Sequence, residues 1–201
     1  MTGQQIFEMA STLFDEPEKG KFDKSPYTEI VRRVLNQGYR EVCRKALCSR
    51  ASSSVNTNTS VREYSFPEGC SSLISIKHNG IPLVFIREFD ICSTLKGMPQ
   101  AYYIAIDKIG LEPIPDKTYT LNLIYFQKPA NEIQMEDTPY LVPEDWHYVI
   151  AYYMVKEFFK IDKGDSSQGF LKWESIYEDE LFKMKNYFVE GINANHYLEV
   201  R

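Results

Sequence analysis

The chain has 201 residues, of which 43% are hydrophobic and 14% aromatic, and carries a formal net charge of −5. That much apolar surface supports one good core or two small ones and excludes a largely disordered chain. The acidic balance, with a pI of about 5.3, excludes a general nucleic-acid coat.

The charge is unevenly spread. Residues 25–50 hold six basic side chains (Arg32, Arg33, Arg40, Arg44, Lys45, Arg50) against Glu29 and Glu41, whereas residues 131–201 hold 14 acidic and 7 basic groups. The N-terminus lacks a cationic start followed by an apolar core of signal-peptide length. No apolar run approaches the ~20 residues that span a bilayer, so a soluble protein made in a cytoplasm, with no membrane partner, is expected. Cys43, Cys48, Cys70 and Cys92 fit no CxxC pattern and read as free thiols without a metal.

In chain order, a short helix is expected from about Gln4 to Phe14, with Ile6, Met9, Ala10 and Leu13 on one side. A second, amphipathic helix over 25–48 has Ser25 as cap, Pro26 in its first turn, and Tyr27, Ile30, Val31, Val34, Leu35, Val42 and Ala46 on its apolar face. Its other face carries the arginines. "SRASSSVNTNTS", 49–60, is poor in apolar residues and reads as a flexible loop.

From Val61 to Pro129 the period falls to two, which predicts a small antiparallel domain of five or six strands. Asn79-Gly80 is a hairpin signal, and "IPDK" at 114–117 predicts that "KIGLEPIPDKTYTLNLIYFQKP", 108–129, folds as one hairpin. Helix returns at Pro143 with "PEDWHYVIAYYMVKEFFK", whose apolar residues, including Trp146, Ile150, Tyr153 and Phe158, wrap more than one face and predict burial on most sides. A last helix spans about 166–188, and Gly191 is placed to end it before a tail.

The fold class expected is therefore α+β. Residues 1–48 and 130–191 form a discontinuous helical bundle, 61–129 an inserted antiparallel β domain, 49–60 a flexible loop and 192–201 a C-terminal docking tail. In the tail, Ile192, Tyr197, Leu198 and Val200 are anchors that a wholly solvated end would not need, and an extended "HYLEV" would suit a partner's strand edge or groove.

Catalytic chemistry is not evident. Glu144, Asp145 and His147 cluster in a first helical turn, where acids serve the helix dipole and near neighbours do not converge on one substrate. His78 sits beside a hairpin turn, His196 lies in the tail, and no GxGxxG or GxxxxGK[ST] loop occurs. No catalytic residue, cofactor or metal ligand is assigned. Two other readings stay open: a small hydrolase or nucleic-acid-processing enzyme using His147 with Glu144 or Asp145, and a monomeric carbohydrate- or peptide-binding β module.

The order of segments carries more than any single residue. Phe66-Pro67, Asn79-Gly80, Gly97-Met98-Pro99, Pro113-Ile114-Pro115, Tyr125 with Pro129, and Leu141-Val142-Pro143-Glu144-Asp145-Trp146-His147 follow one another across residues 25–190. In this order and spacing the chain resembles the head-to-tail adaptor proteins of tailed bacteriophages, the connector or head-completion family that includes the tail tubular proteins. Val142, between Leu141 and Pro143, and the polar stretch 49–60 depart from the family pattern.

The resemblance implies a non-enzymatic virion protein at the head–tail junction, made in the host cytoplasm, that forms a dodecameric ring beneath the portal and extends the DNA channel. Its implied partners are the portal protein, tail or neck proteins, further copies of itself, and DNA that passes without sequence-specific binding. The C-terminal tail is then expected to dock on the portal. The charge gradient sets the acidic half toward the lumen and makes Arg33 and Arg40 subunit contacts, and the broad apolar helix adds Trp146 and Tyr153.

Overall fold

The computed structural model describes residues 1–14, 22, 27–88 and 94–198, with side chains as far as Val189. Ser25, Pro26, Cys92 and the side chains of Ile192, Tyr197, Leu198 and Val200 lie outside the described residues. The fold is α+β, and the chain divides into a unit of residues 1–49 and 128–201 and a unit of residues 50–127.

The first unit holds four helices: α1 (Gly3–Phe14), α2 (Tyr27–Ala46), α3 (His147–Lys163) and α4 (Gln168–Leu198). Thr2 and Gln5 start α1 reciprocally, since the Gln5 N–H donates to Thr2 Oγ1 at 3.3 Å and the Thr2 N–H donates to Gln5 Oε1 at 2.9 Å. A 3₁₀ turn, Glu144–Trp146, leads into α3, and Gly164, at φ 85°, ends it. The α3 helix packs against α1, α2 and α4, which is why its apolar residues surround it: Phe158 meets Phe7 and Phe14, and Ile150, Met154 and Phe158 are fully buried. The core of this unit draws on all four helices, with Ile6, Leu35, Tyr39, Met154, Tyr177 and Met184 at its centre.

One polar side chain organises the return of the chain from the second unit. Asn36 is buried on α2, and its amide mimics a strand partner: Nδ2 donates to the Ile133 carbonyl at 3.0 Å and Oδ1 accepts from the Ile133 N–H at 2.8 Å. The Leu141 N–H donates to the Tyr39 hydroxyl at 3.1 Å. The irregular segment 128–142 thus finds partners for its backbone on α2.

The second unit holds ten strands. They are β1 (Arg50–Asn56), β2 (Glu63–Ser65), β3 (Cys70–His78), β4 (Ile81–Pro82), β5 (Val84–Phe85), β6 (Lys96–Gly97), β7 (Ala101–Ala105), β8 (Lys108–Glu112), β9 (Ile114–Pro115) and β10 (Thr120–Gln127). One sheet runs β1-β10-β3-β4, another β2-β8-β7-β5, and β6 pairs with β9. All ladders are antiparallel except β5–β7 and β6–β9. Residues 81–86 serve both four-stranded sheets: the Leu83 N–H donates to Ile76 of β3, and the Val84 and Ile86 N–H groups donate to Gln100 and Tyr102. Ile76, Tyr102, Leu111, Leu121 and Leu123 fill the core between the sheets.

Three expectations need correction here. The stretch 50–56 is not a loop but β1, in unbroken register with β10 from Arg50↔Phe126 to Asn56↔Thr120. Its polar residues hide a period of two, with Ala51, Ser53 and Val55 half-buried between exposed neighbours. Thr57 fixes the following turn, accepting at Oγ1 from the Tyr119 N–H and donating to the Lys117 carbonyl. Residues 108–129 are not a hairpin either. After β8 ends, Pro113 and Pro115 cannot continue a ladder as donors, and β9 leads the chain from one sheet to the other. Finally, α4 does not end near Gly191 but continues as helix to Leu198.

Asn79-Gly80 does form the expected two-residue turn, both residues having positive φ, 50° and 82°, between paired His78 and Ile81. Among the described residues, no helix is long and apolar enough to cross a membrane.

Candidate assembly surfaces

The His147 cluster is a structural joint. Its ring is buried, with Nε2 2.8 Å from the Val142 carbonyl and Nδ1 2.9 Å from the Met1 amine, which also lies 3.3 Å from Glu144 Oε1. An ammonium donor at Nδ1 leaves the ring proton on Nε2, donating to Val142, so neither nitrogen is open to a substrate. Glu144 and Asp145 are exposed and make the 3₁₀ turn ahead of α3. A cleft of about 470 Å³ beside this joint is lined by Thr2, Gln5, Tyr140, Pro143 and their neighbours. The Cys48 thiol is held below its ordinary value by a hydrogen bond from buried Cys43. Among the described residues, no group of His, Cys, Asp or Glu is placed to hold a metal ion.

The basic face of α2 is largely answered within its own unit. Arg32 pairs with Glu29 at 2.8 Å, Arg40 with Glu132 at 3.1 Å, and Lys45 with both Glu41 and Glu178 at 3.0 and 2.9 Å. Arg33 and Arg44 are exposed and pair with no acid among the described residues. Of the four residues expected at subunit contacts, Arg33 and Arg40 lie on the surface and Trp146 is half-buried, stacked on Tyr148 with ring centroids 5.9 Å apart. Tyr153 faces inward. It packs against Tyr177 and across Gly38, where an added Cβ would fall 2.7 Å from its ring, so it belongs to the unit's own core and exposes only 8% of its surface.

The helix α4 is anchored by Phe170, Tyr177, Leu181 and Met184 on its buried side. On α3, the Tyr148 hydroxyl donates to Glu180 Oε2 at 2.8 Å, and Lys183 donates to the other carboxylate oxygen. Trp146, just before α3, meets Tyr187 at 6.0 Å between ring centroids. The α4 residues after Tyr187 therefore run past the start of α3. Phe182 and Tyr187 are exposed on this helix.

In the β unit the exposed apolar groups gather on the segment shared by the two sheets and beside it. Ile81, Val84, Phe85 and Met98 are 71, 66, 56 and 45% exposed. A cleft of about 320 Å³ lies among Ile81, Pro82, Leu83, Met98 and Pro99. Sequence reading missed this surface because strand-length alternation identifies a strand without saying which sheet edge stays uncovered. It also missed Ile106, fully exposed at the β7–β8 turn with φ 42°. Asp107 marks the turn, but nothing in the sequence marks Ile106 as its exposed, positive-φ residue.

The SU10 adaptor protein family matches residues 1–188. No curated protein matches the chain. A match over nearly the whole length places this chain in the SU10 adaptor proteins, a phage head-to-tail adaptor family.

Proposed function

We propose that this adaptor assembles as a ring of subunits, twelve on the family pattern, beneath the portal of a tailed phage. There it joins head to tail as a virion structural protein and extends the DNA channel, without catalysis and without a cofactor. The observation that carries the reading is family membership across both units. The joint at His147, closed by hydrogen bonds, fits a structural role.

In this reading the end of α4 is the portal-docking element. A helix of 31 residues is about 46 Å long, against about 26 Å for the 17 residues of α3. Its last turns thus have room to engage a partner. Docking is by the end of this helix in a groove, in place of an added strand, with Ile192, Tyr197 and Leu198 on the helix and Val200 in the residues that follow it as the contact. Arg33, exposed and in no ion pair among the described residues, and half-buried Trp146 are proposed to meet neighbouring subunits. The acidic helical unit lines the channel, so that DNA passes without being held by its phosphates.

Deleting residues 192–201 tests the docking role. The truncated chain is expected to keep its melting temperature yet fail to join portal-containing heads. Heads completed normally by the truncated chain would overturn it.

A further inference from the structure

We infer that Ile106 of one subunit inserts into the apolar cleft at Ile81, Leu83 and Met98 of the next, forming a head-to-tail contact between the β units of neighbouring copies. The inference rests on the ring reading above and names a contact within it. Ile106 breaks two rules at once. A β-branched residue at φ 42° is a steric outlier, and a fully exposed isoleucine at a turn tip gains nothing from its own fold. Glycine would form this two-residue turn without strain. A side chain kept under those conditions is suited to burial against another molecule.

The cleft offers the complementary surface. It has a volume of about 320 Å³ and walls of Ile81, Pro82, Leu83, Met98 and Pro99, with His78, Asn79 and Gln100 completing the lining and Val84 and Phe85 exposed beside it. It adjoins Gln100, just before β7 begins, whereas Ile106 follows the end of β7. Six residues of extended chain separate them by about 20 Å, so Ile106 cannot reach the cleft of its own unit.

A second copy is the occupant, since each β unit carries both the exposed Ile106 and the cleft, and its charge does not oppose the meeting. Residues 50–127 carry seven basic and seven acidic side chains, so β units meet without net repulsion, while the net charge of −5 lies entirely in the remainder of the chain. One protrusion and one cleft per subunit, at opposite ends of a strand, give a heterologous contact, the kind that closes into rings when the rotation allows.

The test uses the full-length chain in a sedimentation series run up to its solubility limit, with Ile106→Gly and Met98→Trp as variants. The wild-type chain is expected to self-associate. Ile106→Gly should weaken association roughly tenfold to a hundredfold, the worth of burying one isoleucine, while its melting temperature holds or rises because the turn is relieved of strain. Met98→Trp fills the cleft and should do the same to association. An equimolar mixture of the two variants retains one protrusion and one cleft and should stop at dimers. The contact is refuted if Ile106→Gly associates as tightly as the wild type, or if the wild-type chain is monomeric throughout the series. Rings built from Ile106→Gly chains, or rings that a monomeric wild-type chain forms only on a portal, would leave the ring reading standing while this contact falls.

Discussion

Asn36 shows how one side chain can govern a segment far from it in sequence. It supplies both halves of a backbone pairing to Ile133 in a buried setting, so Asn36→Ala strands an N–H and a carbonyl together. A loss of about 2 to 3 kcal/mol is expected in chemical unfolding; a change within error would mean that water replaces the amide. Tyr177 makes the opposite case. Its hydroxyl is buried and has no hydrogen-bond partner among the described residues, while its ring lies under the Lys156 ammonium at 4.7 Å. Tyr177→Phe keeps the ring and removes the stranded hydroxyl, so stability should rise by about 1 kcal/mol. A fall in melting temperature would show that the hydroxyl is bonded after all.

At the scale of elements, the α3–α4 pairing depends on pH through Glu180. Its carboxyl lies below the ordinary value of 4.5 because it accepts from Lys183, with a further hydrogen bond from Tyr148. A depressed carboxyl contributes stability above its unfolded value and loses that contribution as pH falls through the folded value. Wild-type chain should therefore lose stability faster than Glu180→Gln as pH drops below 4.5, by a modest amount since the pair is near the surface. Parallel acid-unfolding curves for the two proteins would remove Glu180 from the account.

The helices and most strands were legible because amphipathic periods survive in α1, α2 and the β3–β10 region. What was not legible depended on partners. β1 hides among serines, since its inner positions are filled by Ala51, Ser53 and Val55, too small to register as a hydrophobic run. The Thr57 N–H donates to Tyr119, so residues 51, 53 and 55 face β10 and Ser52 and Ser54 point their amides outward. Amide exchange should accordingly be slow at 51, 53 and 55 and fast at 52 and 54. Uniformly fast exchange over 50–56 would restore the loop. Pro113 and Pro115 mark the end of the β8 ladder, but nothing local marks which strand β9 joins, because that is decided by Lys96 and Gly97, which pair with it from another part of the sequence. Gly191 misled in the other direction: glycine permits a helix to end without requiring it.

For the whole molecule, the division of labour follows charge and core. Each unit has its own buried cluster, and the net negative charge belongs to the helical unit alone. The assembly role was legible from the order of turn and cap devices along the chain. The surfaces that would carry it were not, because exposure emerges only once the sheets and helices are in place: Tyr153 proved internal, and Ile81, Phe85 and Ile106 proved external. The central claim is a closed ring at the head–tail junction, and electron cryomicroscopy of phage particles containing this chain tests it most directly. The account predicts a ring of identical subunits coaxial with the portal, with the C-terminal ends of α4 against it. Particles in which the chain is absent from the junction, or present there as isolated copies, would contradict it.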